Sequence, residues 1–393
     1  MRFPEFQGEW EKCKLGDIAT LTKGSGISKD QRSATGAPCI LYGELYTTYK
    51  SEVIDYVVSK TDISDKNLVR SCSNDIIIPS SGETAIDIST ARCVLSPDVL
   101  LGGDLNIIRL KDGDGRFFSY QLNGVRKHDI AKIAQGVSVV HLYGESIKGL
   151  TVSFPFNKEQ QKISTLLSLI DERIATQSKL IEKLESLIKG LNDSLYAQYG
   201  NEIKTSFAKL GASYSGLSGK SAQDFGSGKP FITYLNVYSN IVINEKDFQF
   251  VAIKDDEKQN VVEYGDVLFT LSSETPEEVG IGSVYLGKDE VFLNSFCFGI
   301  HITNVEVAFP PYLSYYVSST PFRKFIYPYA QGSTRFNLSK ADFEKASIKL
   351  PTLENQKRIY SILGHINCKI DTERQLLALY NSQKQYMLRQ MFI

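Results

Sequence analysis

The sequence predicts an α+β protein in which two β-rich domains alternate with two long helices, the whole forming a pseudo-two-fold internal repeat. Three observations predict this. First, a late stretch repeats an earlier one at a constant offset: Ala134-Gln135-Gly136 returns as Ala330-Gln331-Gly332, 196 positions on. The same offset carries Leu142 to Leu338, Pro155 to Pro351, Gln160 to Gln356, Ile163 to Ile359, Ile170 to Ile366 and Ile174 to Ile370 without a gap. Self-similarity at a fixed spacing is the mark of a duplicated module. Second, two stretches carry apolar residues at alternating steps of four and three, a period of 3.5 that marks a coiled-coil seam. Third, the segments between them hold short β-branched and aromatic runs separated by Gly, Ser and Asn turns, the pattern of strands.

Residues 1–156 form the first β-rich domain, with runs such as Asp75-Ile-Ile-Ile-Pro79 and Leu105-Asn-Ile-Ile-Arg109. Residues 157–200 are the first long helix. Pro155 blocks an earlier start, and Asn157 with Gln160 three residues later can cap it. Its seam reads Ile163, Leu167, Ile170, Ile174, Gln177, Ile181, Leu184, Ile188, Leu191 and Leu195. Between Lys158 and Gln198 six basic and six acidic residues balance, as solvated flanks should. Residues 201–352 form the second β-rich domain, with Pro230-Phe-Ile-Thr-Tyr234 and Asp266-Val-Leu-Phe-Thr270. Residues 353–393 are the second helix, its seam running Ile359, Leu363, Ile366, Ile370, Glu373, Leu377, Tyr380, Lys384, Met387 and Met391. A helix of about 40 residues is roughly 60 Å long, more than a compact core needs, so these helices read as spacers that pack on each other. The two domains also correspond: Lys14-Leu15-Gly16 matches Lys209-Leu210-Gly211, Pro38 with Tyr46 matches Pro230 with Tyr238, and Asp75 with Glu83-Thr84 matches Asp266 with Glu274-Thr275. Their offsets drift between 191 and 196, so frame is shared while loops have diverged.

At 393 residues, 42% hydrophobic and 23% charged, the composition is that of a globular chain with no membrane contact. The N-terminus lacks an apolar signal region, and six scattered cysteines include no Cys-x-x-Cys pair, so reduced thiols and a cytoplasmic location are expected. A net charge of −1 argues against a protein that holds DNA alone, which usually carries a basic surplus. Local basic loops exist at matching places. Lys14 to Ala37 sets Lys14, Lys23, Lys29 and Arg32 against Asp17 and Asp30, and Lys209 to Lys229 sets three lysines against Asp224.

Catalytic motifs fail one by one. Phe309-Pro310-Pro311-Tyr312 has Phe where an amino-methyltransferase needs an amide or carboxylate. Gly219-Lys220-Ser221 lacks the first glycine of a phosphate loop, Tyr214 standing in its place. After Pro97-Asp98 the first acid-x-Lys triplet is Glu202-Ile-Lys204, beyond the helix, which breaks a restriction-type nuclease site. His128, His141, His301 and His365 fit no metal spacing. The expectation is a non-enzymatic binding protein without metal.

The segment Gln331-Gly-Ser-Thr334, Asn337-Leu338, Ile348-Lys-Leu-Pro351 and Glu354-Asn-Gln-Lys-Arg-Ile359 resembles the end of a target-recognition domain and the start of a spacer helix. So do Arg2-Phe-Pro-Glu-Phe6 with Trp10, Lys14-Leu-Gly-Asp-Ile18 and Gly265-Asp-Val-Leu-Phe269. The family is the DNA-specificity subunit of type I restriction–modification systems, and the resemblance spans the chain. It implies an antiparallel coiled coil between two target-recognition domains that read a bipartite double-stranded DNA target. It also implies two methylation subunits docked on the helices, and restriction (translocase/endonuclease) subunits joining them. S-adenosylmethionine would belong to the methylation subunit and ATP with Mg to the restriction subunit, none to this chain. A coiled-coil interaction scaffold without DNA contact would explain the repeat equally well, but not the paired basic loops. Base edges are read by Arg or Lys, Asn or Gln, and Ser or Thr. On matched loops this selects Lys23, Ser25, Lys29, Gln31, Arg32, Ser80, Ser81, Glu83 and Thr84 in the first domain. In the second it selects Ser218, Lys220, Gln223, Ser272, Ser273, Glu274, Ser333, Thr334 and Arg335. The first domain departs from the family pattern at Val137-Ser-Val-Val-His141, where a polar Ser-Thr-Arg run is expected. Partner docking is expected along the helices at Ile163, Ile170, Ile174, Leu184, Ile359, Ile366, Ile370 and Tyr380.

Overall fold

A computed structural model describes residues 2–64 and 67–392. The chain divides into two compact units: residues 1–179 with 374–393, and residues 180–373. Both boundaries fall inside the long helices, α1 (Asn157–Tyr199) and α2 (Leu353–Gln390). Among the described residues no helix is long and apolar enough to cross a membrane.

The main sheet of unit 1 uses β1 (Ala19–Lys23), β2 (Val53–Ile54), β3 (Asp75–Pro79), β5 (Arg92–Val94) and β6 (Leu105–Leu110), in the order β1-β6-β3-β5-β2. Successive strand side chains face opposite sides. The unbroken Ile76-Ile77-Ile78 run therefore feeds two cores, Ile76 and Ile78 into one with Phe117 and Leu167, Ile77 into another with Ile40 and Leu101. Next to β3, the short β4 (Ser81–Gly82) pairs with β7 (Val140–His141).

Unit 2 repeats this frame with four strands in its main sheet where unit 1 has five. Its sheet is β8 (Gly211–Ser215), β12 (Cys297–Ile302), β9 (Val267–Thr270) and β11 (Gly282–Val284), in that spatial order. Leu268 enters one core and Val267 with Phe269 the other, as Ile77 and its neighbours do in unit 1. Ile76 pairs with Ile108, and the matched Val267 pairs with Ile300. In unit 1 Ser81 faces His141; in unit 2 Ser272 of β10 (Ser272–Ser273) faces Asn337 of β14 (Phe336–Leu338). Gln135 bridges His141 as Gln331 of β13 (Ala330–Gln331) bridges Asn337. Strand register is identical where sequence offsets drift, because a slip of one residue would turn every core side chain outward.

The helices close each unit's main core. In unit 1 Ile163 and Leu167 near the start of α1 pack with Leu388 and Met391 at the end of α2. In unit 2 Leu191 and Leu195 near the end of α1 pack with Ile359 and Leu363 near the start of α2, so the helices run antiparallel. Each residue of both expected seams is buried or half-buried. Gln160 does not cap α1 as expected. It is buried, its Oε1 accepting from Asp114 N at 3.0 Å and its Nε2 donating to Pro155 O at 2.8 Å. Gln356 repeats this with Phe309 N at 2.7 Å and Pro351 O at 2.9 Å. The two glutamines tie each helix start to its domain.

Lys384 interrupts the seam of α2 for a reason within unit 1. Its ammonium meets the buried Glu52 carboxylate and lies 2.6 Å from Asp171 Oδ1. The Tyr120 hydroxyl donates to Asp171 at 2.8 Å. Burial pushes the Glu52 carboxyl up from its ordinary range. Burial also pulls on Lys384, but the two carboxylates outweigh it and hold the ammonium's pKa up.

Candidate nucleic-acid interface

Two loops expected to read DNA in unit 2 converge on one cleft of about 750 Å³. Ser272, Ser273 and Glu274 come from β10 and the turn after it; Thr334 and Arg335 come from the turn between β13 and β14. That turn is held tightly. Gly332 has φ +136°, and a Cβ there would meet Arg335 O at 2.1 Å, so only glycine fits. The Arg335 guanidinium donates to Ser272 Oγ at 3.3 Å and lies 5.8 Å from the Phe296 ring, a cation–π contact. Glu278 accepts from the Tyr238 hydroxyl at 2.7 Å and Ser273 Oγ at 2.9 Å; those donors, Tyr238 first, hold its carboxyl below the usual range. A guanidinium, hydroxyls, exposed carboxylates and aromatic walls are the groups that read base edges.

Tyr234, Leu235, Tyr238 and Phe296 also line this cleft and were not expected there. Tyr234 and Tyr238 sit one turn apart on the helix Tyr234–Ser239, their rings stacked at 6.0 Å. The signal in the sequence was Tyr42 and Tyr46, four apart at the matched place in the first domain. Leu235, 68% exposed, and Phe296, 55% exposed, have Gly43 and Asp104 as their counterparts in unit 1. The frames match and the lining differs.

In unit 1, Lys29, Gln31 and Arg32 line a cleft of about 1010 Å³ with Tyr42 and Thr48. Gln31 also accepts from Ser28 N at 2.8 Å, and Arg32 lies 3.6 Å from Glu44. Lys23 is exposed at the end of β1, in a separate groove with Tyr143 and Lys148. Glu83 and Thr84 are exposed; the Thr84 hydroxyl accepts from Asp87 N and caps the next helix. In unit 2 Ser218, Gln223 and Ser333 are exposed outside the main cleft lining.

Several of the expected contact residues lie buried or are bonded within the protein. The Lys220 ammonium is nearly buried, paired with Glu257 and donating to Ala252 O at 2.6 Å, so it closes its own loop. Ser25 Oγ accepts from Val69 N at 2.7 Å. Ser80 and Ser81 are buried in the β3–β4 turn, and Ser272 and Ser273 are buried at the floor of the cleft. The docking expectation is corrected too. Ile163, Ile170, Ile359 and Ile370 are buried, and Ile174, Leu184, Ile366 and Tyr380 half-buried, because the seam is spent inside each unit. The open apolar side of the helices is elsewhere: Leu169 and Leu379 in unit 1, Leu180 and Leu187 in unit 2. Among the described residues no group of His, Cys, Asp and Glu is placed to hold a metal ion.

A family model for the type I restriction modification DNA specificity domain matches residues 7–186 and 217–379. The chain belongs to this family. It is a type I specificity subunit, a non-catalytic part that recognises the DNA target. The MjaVIII specificity subunit of Methanocaldococcus jannaschii is 22% identical over 404 residues, covering 95% of this chain and 89% of that one. The MjaIX specificity subunit from the same organism is 22% identical over 407 residues, covering 94% and 90%. Among solved structures, the S subunit of a type I restriction–modification system from M. genitalium superposes with a TM-score of 0.59 at 16% identity, covering 100% and 99% of the two chains. A chain from a structure describing complex assembly of a type I system gives 0.60 at 15% identity, covering 98% and 97%. The specificity subunit thus shares its fold with these proteins along its whole length.

Proposed function

We propose that this specificity subunit reads a bipartite double-stranded DNA target, one half-site per target-recognition domain, and directs a methylation and restriction complex to it. The observation that carries the reading is the pair of clefts: two domains with the same strand register carry different side chains at matched positions, as readers of two different half-sites would. Residues 1–156 and 201–352 are the readers; residues 157–200 and 353–393 are the spacer. The subunit performs no chemistry. Two methylation subunits supply S-adenosylmethionine, and the restriction subunits supply ATP and Mg, in the cytoplasm. Sharing the phosphates with these partners fits the net charge of −1. The readers are the exposed loop residues, with Arg335, Thr334 and Glu274 in unit 2 and Lys29, Gln31 and Arg32 in unit 1. Docking uses the outer leucines of the helices, Leu169 and Leu379 on one unit and Leu180 and Leu187 on the other.

Co-expression with its methylation subunit, followed by mapping of methylated bases in genomic DNA, tests the reading. Methylation at a two-part sequence with an unread gap is expected. A co-purified, active complex that methylates no such sequence overturns it.

A further inference from the structure

Val137 is 96% exposed and Val139 53% exposed, on a tip where the matched loop of unit 2 carries Ser333 and Arg335. The tip is rigid. Gln135 N donates to His141 O at 2.9 Å, and His141 N returns a bond to Gln135 O at 2.7 Å. Gly136 has φ +122°, and a Cβ there would meet Val139 O at 2.1 Å. This fixed tip holds two apolar side chains in water at the place where unit 2 presents Ser333 and Arg335.

At the base of the hairpin the His141 ring stacks on Tyr143 at 6.3 Å. Tyr143 shares a groove with Lys23, which makes no ion pair among the described residues. The groove also borders Asn106, buried, whose Nδ2 donates to Leu142 O at 2.9 Å and holds the chain just after the hairpin. A cation and an aromatic ring toward the base of a hairpin with an apolar tip suit the major groove of duplex DNA, where phosphates flank base edges that carry the C5-methyl of thymine.

We infer that Val137 and Val139 are specificity-determining residues of unit 1 that read a thymine C5-methyl group in one half-site, where unit 2 reads its own half-site with the polar Ser333–Arg335 loop. The inference rests on the proposed DNA reading and adds the chemistry of one contact.

The test uses the assembled complex and its mapped target. Uracil replaces thymine in each half-site in turn, which removes only the methyl group, and binding is measured. One half-site should respond, with binding about fivefold weaker, of the order expected for one buried methyl. The double substitution Val137→Ser and Val139→Ser should weaken binding to the thymine duplex by a similar factor and leave binding to the uracil duplex unchanged, the coupling a direct contact requires. Equal binding of thymine and uracil duplexes, equal losses for the variant on both, or a target without thymine in either half-site overturns the inference. In those cases the bipartite reading stands. A complex that binds no DNA removes both.

Discussion

Gln160 and Gln356 lie 196 positions apart and do the same work, each joining a helix start to the backbone of its own domain. Replacing Gln356 with Ala strands the Phe309 N–H and frees Val307 O and Pro351 O in a buried site. Urea unfolding should show a loss of about 1–3 kcal/mol, the cost of buried polar groups left unpaired. A loss no larger than that of an exposed glutamine would show that the clamp is idle. Lys384 carries a larger penalty. Lys384→Met leaves Glu52 and Asp171 buried without their cation and should destabilise unit 1 by about 3–5 kcal/mol in thermal unfolding. Replacing all three by apolar residues should recover only part of that loss, since the buried Arg92 then remains without its two neighbouring carboxylates. A single Met variant as stable as the native chain would refute the pairing. The sequence showed Lys384 as a break in the seam, but its partner Glu52 lies 332 positions away and belongs to another element. Periodicity describes one helix at a time and carries no information on what meets it.

At the scale of elements, the helices were legible almost to their ends. Expected over residues 157–200 and from 353 onward, they run Asn157–Tyr199 and Leu353–Gln390. The 3.5-residue period marks the buried side of a helix whatever it packs against, so every seam residue came out covered. The same logic explains why the docking expectation went astray: the side that periodicity reveals is the side already occupied. Leu187→Glu, on the open side, should lower affinity for the methylation subunit at least tenfold in pull-down titration with little change in melting temperature. Unchanged affinity would move the docking surface away from this leucine. Deleting one heptad from α1 shortens it by about 10 Å. The methylated target should then show a changed gap or disappear, and an unchanged gap would end the spacer reading. The strands were legible as runs, but their pairing was not, because register is fixed by contacts distant in sequence.

For the whole molecule, the contact pattern assigns the last segment of the chain to the first unit. Leu388, Met391 and Phe392 sit in the same core as Phe117, and the Phe117 and Phe392 rings lie 5.1 Å apart. Truncation after Glu373 should therefore lower the first unit's melting temperature sharply while residues 180–373 keep theirs, followed by hydrogen exchange in each unit. Equal protection in the truncated and full chains would refute this assignment. The sequence by itself determined the duplication, the alternation of domains and helices, the buried face of each helix and the absence of a catalytic motif. These are local or periodic properties, and side-chain pattern alone enforces them. The tertiary structure decided which loops meet. It gathered Ser272, Glu274, Thr334 and Arg335 around one cleft with unexpected tyrosines, withdrew Lys220 into its own loop, and set two valines on an exposed tip. A loop residue's role depends on what the chain brings beside it from far away, and no spacing in the sequence records that.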